Sequence, residues 1–132
     1  MFSRIDHVEI LPRDFERSMA FYQEVLEFRL VSRMAVQAGP LKEIAYLRLG
    51  DTVIEMLHVE NPAPMPGAMS VGYRAMALEV ESMEAATAYL RERGVGVTWG
   101  PADLGDCIRA EIHDPDGLTI ELREWKPNQK PW

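Results

Sequence analysis

The second half of this chain repeats the grammar of the first, and that constrains the fold more than any other feature. Shifted by 68 positions, His7 falls on Ala75, Val8 on Met76, Ile10 on Leu78 and Asp14 on Ser82. The same shift lays Phe15 on Met83, Ala20 on Ala88 and Phe21 on Tyr89. Core positions meet core positions, and one helix-capping residue meets another. Further along, a shift of 66 puts Asp51-Thr-Val-Ile-Glu55 on Gly117-Leu-Thr-Ile-Glu121, so a turn, an apolar isoleucine and the glutamate after it all recur. Such a chain folds as two copies of one supersecondary unit.

Local patterns define the unit. Residues 4–11 alternate as a half-buried strand does, with Val8 and Ile10 on one face and His7 and Glu9 on the other. Asp14 is placed to cap a helix whose apolar stripe is Phe15, Met19, Tyr22 and Leu26. Strands are expected near 28–37, 43–50 and 52–60, parted by Gly39-Pro40 and by a tight turn at Gly50-Asp51. Asn61 to Ser70, with three prolines and a glycine, reads as a linker. The pattern then restarts. A strand over 72–80 leads to Ser82, which caps a helix running to about Arg93 and stopping at Gly94. Strands follow near 95–99, 107–113 and 117–124, and Asp114-Pro115-Asp116-Gly117 between the last two suits a type I turn. The expected fold is α+β: tandem βαβββ modules with a mixed sheet and helices on its outer face, in one domain over 1–132. Module 1 covers about 4–60, the linker about 61–71, module 2 about 72–124 and a tail 125–132.

Two equivalent units pack most simply about a pseudo-two-fold axis, which brings equivalent positions face to face. On that expectation His7 and Glu55 converge with position 75 and Glu121. Strand parity agrees: Ile54 and Met56 point toward the helix layer, leaving Glu55 on the other face, and Ile120 and Leu122 leave Glu121 there too. His58 falls opposite Glu55. Glu9 shares the face of His7, while Tyr73 and Glu79 share that of Ala75, so these four positions are expected to line a pocket. Several carboxylates in one hollow repel each other and lose hydration, so they call for a cation or for raised pKa values.

Charge and composition narrow the partners. The formal net charge is −7, the sequence pI is near 4.9, and no Lys/Arg run is present, which argues against nucleic acid. Cys107 is the single cysteine, so no intrachain disulfide forms, and it is expected to be a small buried hydrophobe. The N-terminal sequence lacks a signal-peptide pattern, and no apolar run approaches the roughly 20 residues that cross a bilayer. A cytoplasmic protein without membrane partners is expected.

In order, IDHVEI, DFERSMAFYQEVLEFRLV, GDTVIEML and HDPDGLTIELRE resemble the pattern of the vicinal-oxygen-chelate superfamily: the glyoxalase, bleomycin-resistance and dioxygenase proteins. Among these the motifs are most similar to glyoxalase I and methylmalonyl-CoA epimerase. The resemblance implies a cupped mixed sheet around a divalent metal, with ligands from the first and last strand of each unit. By position these are His7, Glu55 and Glu121, with Ala75 standing where those two enzymes carry a histidine. One imidazole and two carboxylates suit Mn, Mg, Ni, Fe or Zn. The implied activity is that of a glyoxalase-like, lactoylglutathione-lyase-like lyase or isomerase, which removes a proton next to a carbonyl of a small oxygen-chelating substrate. Glu55 or Glu121 is then the catalytic base. The alternative is a non-catalytic small-molecule binding protein of the antibiotic-resistance type, which Ala75 favours. An extradiol-type dioxygenase fits least, because it needs two histidines and one carboxylate. Dimers are usual in the superfamily, so a homodimer is expected.

Overall fold

The computed structural model describes residues 1–67 and 69–132. It divides into two compact units, Met1–Met65 and Pro66–Trp132. The fold class is as expected: two βαβββ modules, each with a four-stranded mixed sheet and its helical segment.

In the first unit β1 (Val8–Ile10) leads into α1 (Phe15–Ala20), and β2 (Arg29–Ala38), β3 (Leu41–Leu49) and β4 (Thr52–Val59) follow. The sheet order is β1-β4-β3-β2: β2, β3 and β4 are an antiparallel meander, and β4 returns parallel to β1. The Asp14 carboxylate accepts the Arg17 N–H at 3.0 Å, as a cap should. The helix is shorter than its apolar stripe. Residues Phe21–Val25 widen into a π-type turn closed by the Leu26 N–H on the Phe21 carbonyl, and Glu27 exits with φ 63°. The stripe itself is intact. Phe15, Met19, Tyr22 and Leu26 are buried over Ile10, Ala45, Leu47, Ile54 and Met56, each large apolar side chain contributing about 1.5–3 kcal/mol. Arg33 ties the layers together by pairing with both Glu16 on α1 and Glu43 on β3.

The second unit runs β5 (Ala75–Glu79), α2 (Met83–Glu92), β6 (Trp99–Asp103), β7 (Cys107–His113) and β8 (Thr119–Trp125), in sheet order β5-β8-β7-β6. Ser82 caps α2 by accepting the Ala85 N–H at 3.2 Å, and the Glu124 carboxylate on β8 accepts the Met83 N–H at 2.5 Å. At the far end Gly94 takes φ 76° while Val95 and Gly94 donate back to the Leu90 and Arg91 carbonyls, a Schellman closure. The core is Met83, Leu90, Cys107, Ala110, Ile112, Ile120 and Leu122. Between β7 and β8 the Asp114 carbonyl accepts the Gly117 N–H, closing the expected turn.

One strand is displaced from its expected place. Val95-Gly-Val97 has a strand's alternation, yet β6 begins at Trp99 and carries Pro101. Proline has no N–H to donate, and β6 tolerates it because it is an edge strand. Gly100, at φ 76°, lets this edge close on β7: a Cβ there would sit 2.6 Å from the Arg109 carbonyl oxygen. Among the described residues no helix is long and apolar enough to cross a membrane.

Candidate metal centre in the first module

The parallel pairing of β1 with β4 sets Glu9 beside Glu55, and the antiparallel pairing of β3 with β4 sets Tyr46 beside Glu55 on its other flank. Alternation sends Ile54 and Met56 under the helix and leaves these three, with His7 two residues before Glu9, on the opposite face. Glu55 is a carboxylate with only 7% of its surface exposed. Its Oε2 lies 2.8 Å from His7 Nε2, and Glu9 Oε1 lies 3.8 Å from the same nitrogen. One donor atom from each of His7, Glu9 and Glu55 falls within 4.8 Å of the others. His58 lies on the other face, stacked on Phe15 at 5.0 Å and 3.9 Å from Glu43.

Asp6 completes the geometry. Its Oδ2 is 2.9 Å from His7 Nδ1, which leaves Nε2 aimed at the two glutamates. A carboxylate on the rear nitrogen is how proteins fix the tautomer and ring orientation of a metal-ligating histidine. The bond to Asp6 raises the His7 pKa, the Glu55, Asp6 and Glu9 charges add to this, and burial opposes it. Burial raises the Tyr46 hydroxyl pKa, and the Glu55, Glu9 and Asp6 charges raise it further. The Tyr46 ring meets the His7 ring edge-on, with centroids 6.0 Å apart. Three acidic groups thus surround one imidazole, and the excess negative charge is what a dication neutralises. Borderline nitrogen plus hard oxygen donors fit Mn, Mg, Ni, Fe or Zn.

The second module uses the same positions differently. Its register pairs Ala77 with Glu121, as Glu9 pairs with Glu55, so Ala75 is the counterpart of His7 and Ala77 of Glu9. Glu121 is clasped by arginines: Oε2 lies 2.9 Å from Arg109 Nε and Oε1 lies 2.5 Å from Arg123 Nη2. Glu111, opposite Glu121 on β7, pairs with Arg74 at 2.7 Å and also with Arg109. The bond from Arg74 holds the Glu111 carboxyl below its usual range, with Arg109 assisting against the effect of burial. The guanidiniums of Arg109 and Arg123 lie over Trp99 and Trp125. Ala75 pairs with Thr119 and is exposed, Tyr73 is fully exposed, and Glu79 is ion-paired with Lys130 at 2.5 Å.

Of the residues singled out in the sequence, the structure therefore brings His7, Glu9 and Glu55 together within one module. Ala75, Glu79 and Glu121 share the non-helical face of the second sheet. Asp6, Tyr46 and the arginine clasp were not foreseen. Asp6 carried a readable signal, an acid adjacent to a candidate ligand. Tyr46 carried one too, since a two-residue turn at Gly50-Asp51 pairs Leu49 with Thr52 and so sets Tyr46 opposite Glu55. Arg109 did not, because it reaches Glu121 diagonally, past its directly opposed partner Arg123.

Comparison with known proteins agrees with this architecture. Residues 4–122 match the Glyoxalase/Bleomycin resistance protein/Dioxygenase superfamily. The chain is 33% identical to the lactoylglutathione lyase of Salmonella typhimurium over 129 residues, covering 93% of each. A crystal structure of a glyoxalase family protein from Enterococcus faecalis superposes with TM-score 0.81 at 27% identity, over 93% of this chain and 98% of that one. TnmS3, an antibiotic binding protein from Streptomyces sp. CB03234, superposes with TM-score 0.71 at 28% identity, over 95% of this chain and 98% of that one. With its repeated βαβββ module and a match over nearly its whole length, the chain belongs to the glyoxalase/bleomycin resistance/dioxygenase superfamily.

Proposed function

We propose that this protein is a metal-dependent, glyoxalase-like lyase or isomerase that moves a proton on the carbon next to a carbonyl of a small substrate. The observation that carries the reading is the His7–Glu55 contact at 2.8 Å, with Glu9 beside it and Asp6 behind the ring. The 33% identity to a lactoylglutathione lyase supports the same class of chemistry.

His7 and Glu55 are the residues that would hold the ion. When bound, a divalent metal supplies Lewis acidity toward two substrate oxygens and so stabilises negative charge beside the carbonyl. The rest falls to the chain. Glu55, nearly buried and hydrogen-bonding distance from an imidazole, is placed to accept the proton and return it to a neighbouring carbon. Asp6 keeps the His7 ring oriented, and the high-pKa Tyr46 hydroxyl stays protonated as a donor beside the Glu55 carboxylate. Glu121, the other base the resemblance suggests, would have to leave Arg109 and Arg123 to act.

The test is turnover of the methylglyoxal–glutathione hemithioacetal, followed by absorbance, with the full chain loaded with Mn(II), Ni(II) or Zn(II). Activity that needs metal and drops by roughly 100-fold or more in Glu55→Gln is the expected result. Metal binding with no turnover of this or related 2-oxoaldehyde adducts would sink the enzyme reading. A second reading, ligand sequestration without turnover, is favoured by Ala75 and by the likeness to TnmS3. It predicts tight binding of a small molecule that is unchanged by metal removal.

A further inference from the structure

We infer that the metal centre is confined to the first module, with Glu9 serving as the third protein ligand and Glu121 serving none. This rests on the reading of a metal site at His7 and Glu55, and it departs from the ligand set that the resemblance implies.

The inference comes from laying one module's register on the other's. In the first, the neighbouring pair on β1 and β4 is Glu9 and Glu55; in the second, the same pair on β5 and β8 is Ala77 and Glu121. The first strand of the second module thus offers two methyl groups, Ala75 and Ala77, where the first module offers an imidazole and a carboxylate. Glu9 lies 3.8 Å from His7 Nε2 and within reach of Glu55, so a donor is present in the first module to replace the missing histidine.

Glu121 is a poor ligand for a reason internal to its own sheet. On β3 and β4 the residues flanking Tyr46 and Glu55 include the apolar pair Ile44 and Leu57; on β7 and β8 the equivalent pair is Arg109 and Arg123. Both guanidiniums sit on the Glu121 carboxylate, one against each oxygen. A dication bound there must either displace two permanent cations or stand beside them, and their charge cannot be shed because arginine does not deprotonate in proteins. The second sheet therefore neutralises its own carboxylate. The first leaves Glu55 with no guanidinium in this position and an imidazole nitrogen 2.8 Å away.

Chelator-stripped full chain is titrated with Co(II) and Mn(II), reading the Co(II) visible spectrum and the dissociation constants by calorimetry. Glu9→Gln should weaken binding at least roughly tenfold, the lower end of what even a group supporting a ligand costs, and should change the Co(II) bands. Glu121→Gln should leave the constant and the spectrum as they are. Where Glu121→Gln fails to fold, the triple variant Arg109→Ile, Glu121→Met, Arg123→Leu removes the carboxylate with its guanidiniums and leaves no charge of that trio unpaired. Weakening by Glu121→Gln or the triple variant, or none by Glu9→Gln, overturns the inference. If the unmodified chain binds neither ion at millimolar concentration, it is the metal reading itself that fails.

Discussion

The two modules share a fold and a register, and they differ in how each treats one glutamate, buried in the first and half-buried in the second. Glu55 faces an imidazole and a second carboxylate; Glu121 faces two guanidiniums. An imidazole can give up its proton and accept a metal instead, whereas a guanidinium holds its charge. The same strand position thus carries an imidazole neighbour in one module and two fixed cations in the other. A duplicated fold can keep its architecture in both copies while the charges around one equivalent position diverge.

Removing each carboxylate is the strongest way to break this contrast. Glu121→Leu strands the partly buried Arg123 guanidinium and leaves Arg109 with Glu111 alone, and should cost about 2 kcal/mol of stability, below the range for fully buried pairs. Glu55→Leu leaves a histidine that can become neutral, and should cost about 1 kcal/mol or less. Urea melts without added metal decide; equal costs would mean that the two carboxylates are held alike.

Transplanting the clasp sharpens the point. Ile44→Arg with Leu57→Arg gives the first module the cations of the second, and Mn(II) affinity should fall at least roughly tenfold, about 1.4 kcal/mol. Mn(II) electron paramagnetic resonance checks it. Unchanged affinity would show that arginines at these positions do not reach Glu55.

The modules also leave their helices differently, at Glu27 with φ 63° and at Gly94 with φ 76°. Glu27→Gly should stabilise the chain and Gly94→Ala destabilise it, each by about 1 kcal/mol, since only glycine takes this region without steric cost. Thermal melts of the two variants should shift in opposite directions.

The smallest effect concerns acid. Glu111 has a folded pKa lowered from 4.5 by its bond from Arg74, so its contribution is complete above that value. It is lost as pH falls from about 4.5 through the lower folded pKa. Glu111→Gln should flatten this part of the acid limb by about 0.5–1 kcal/mol while leaving the first module's response unchanged. A melting series between roughly pH 5.5 and 3 tests this. An acid limb as steep as the unmodified chain's would place the sensitivity elsewhere.

Much of this was legible in the residues alone. The repeat, both helix caps, the Gly94 stop and the Asp114–Gly117 turn are local signals, and local signals survive without knowledge of the fold. Parity placed Glu55 opposite Ile54 and Met56, and His58 with the helix. What the sequence withheld depends on pairing between strands. The β1–β4 register that sets Glu9 against Glu55 joins residues far apart in the chain, and the packing of Arg109 on Glu121, though within one hairpin, is a diagonal contact that depends on side-chain conformation. The displaced β6 is the same lesson in reverse: Val95 and Val97 carry strand propensity, but the ladder with β7 takes Trp99 to Asp103 instead.

Strand β8 shows why the difference between modules had to be written in side chains. It turns Glu121 to one side and, three residues on, Glu124 to the other, where it holds the first turn of α2 at Met83. Sliding the strand to re-aim one carboxylate would unfasten the other from its helix. With the backbone pinned in this way, mutation was left free to redraw the charges around Glu121 but not to move it.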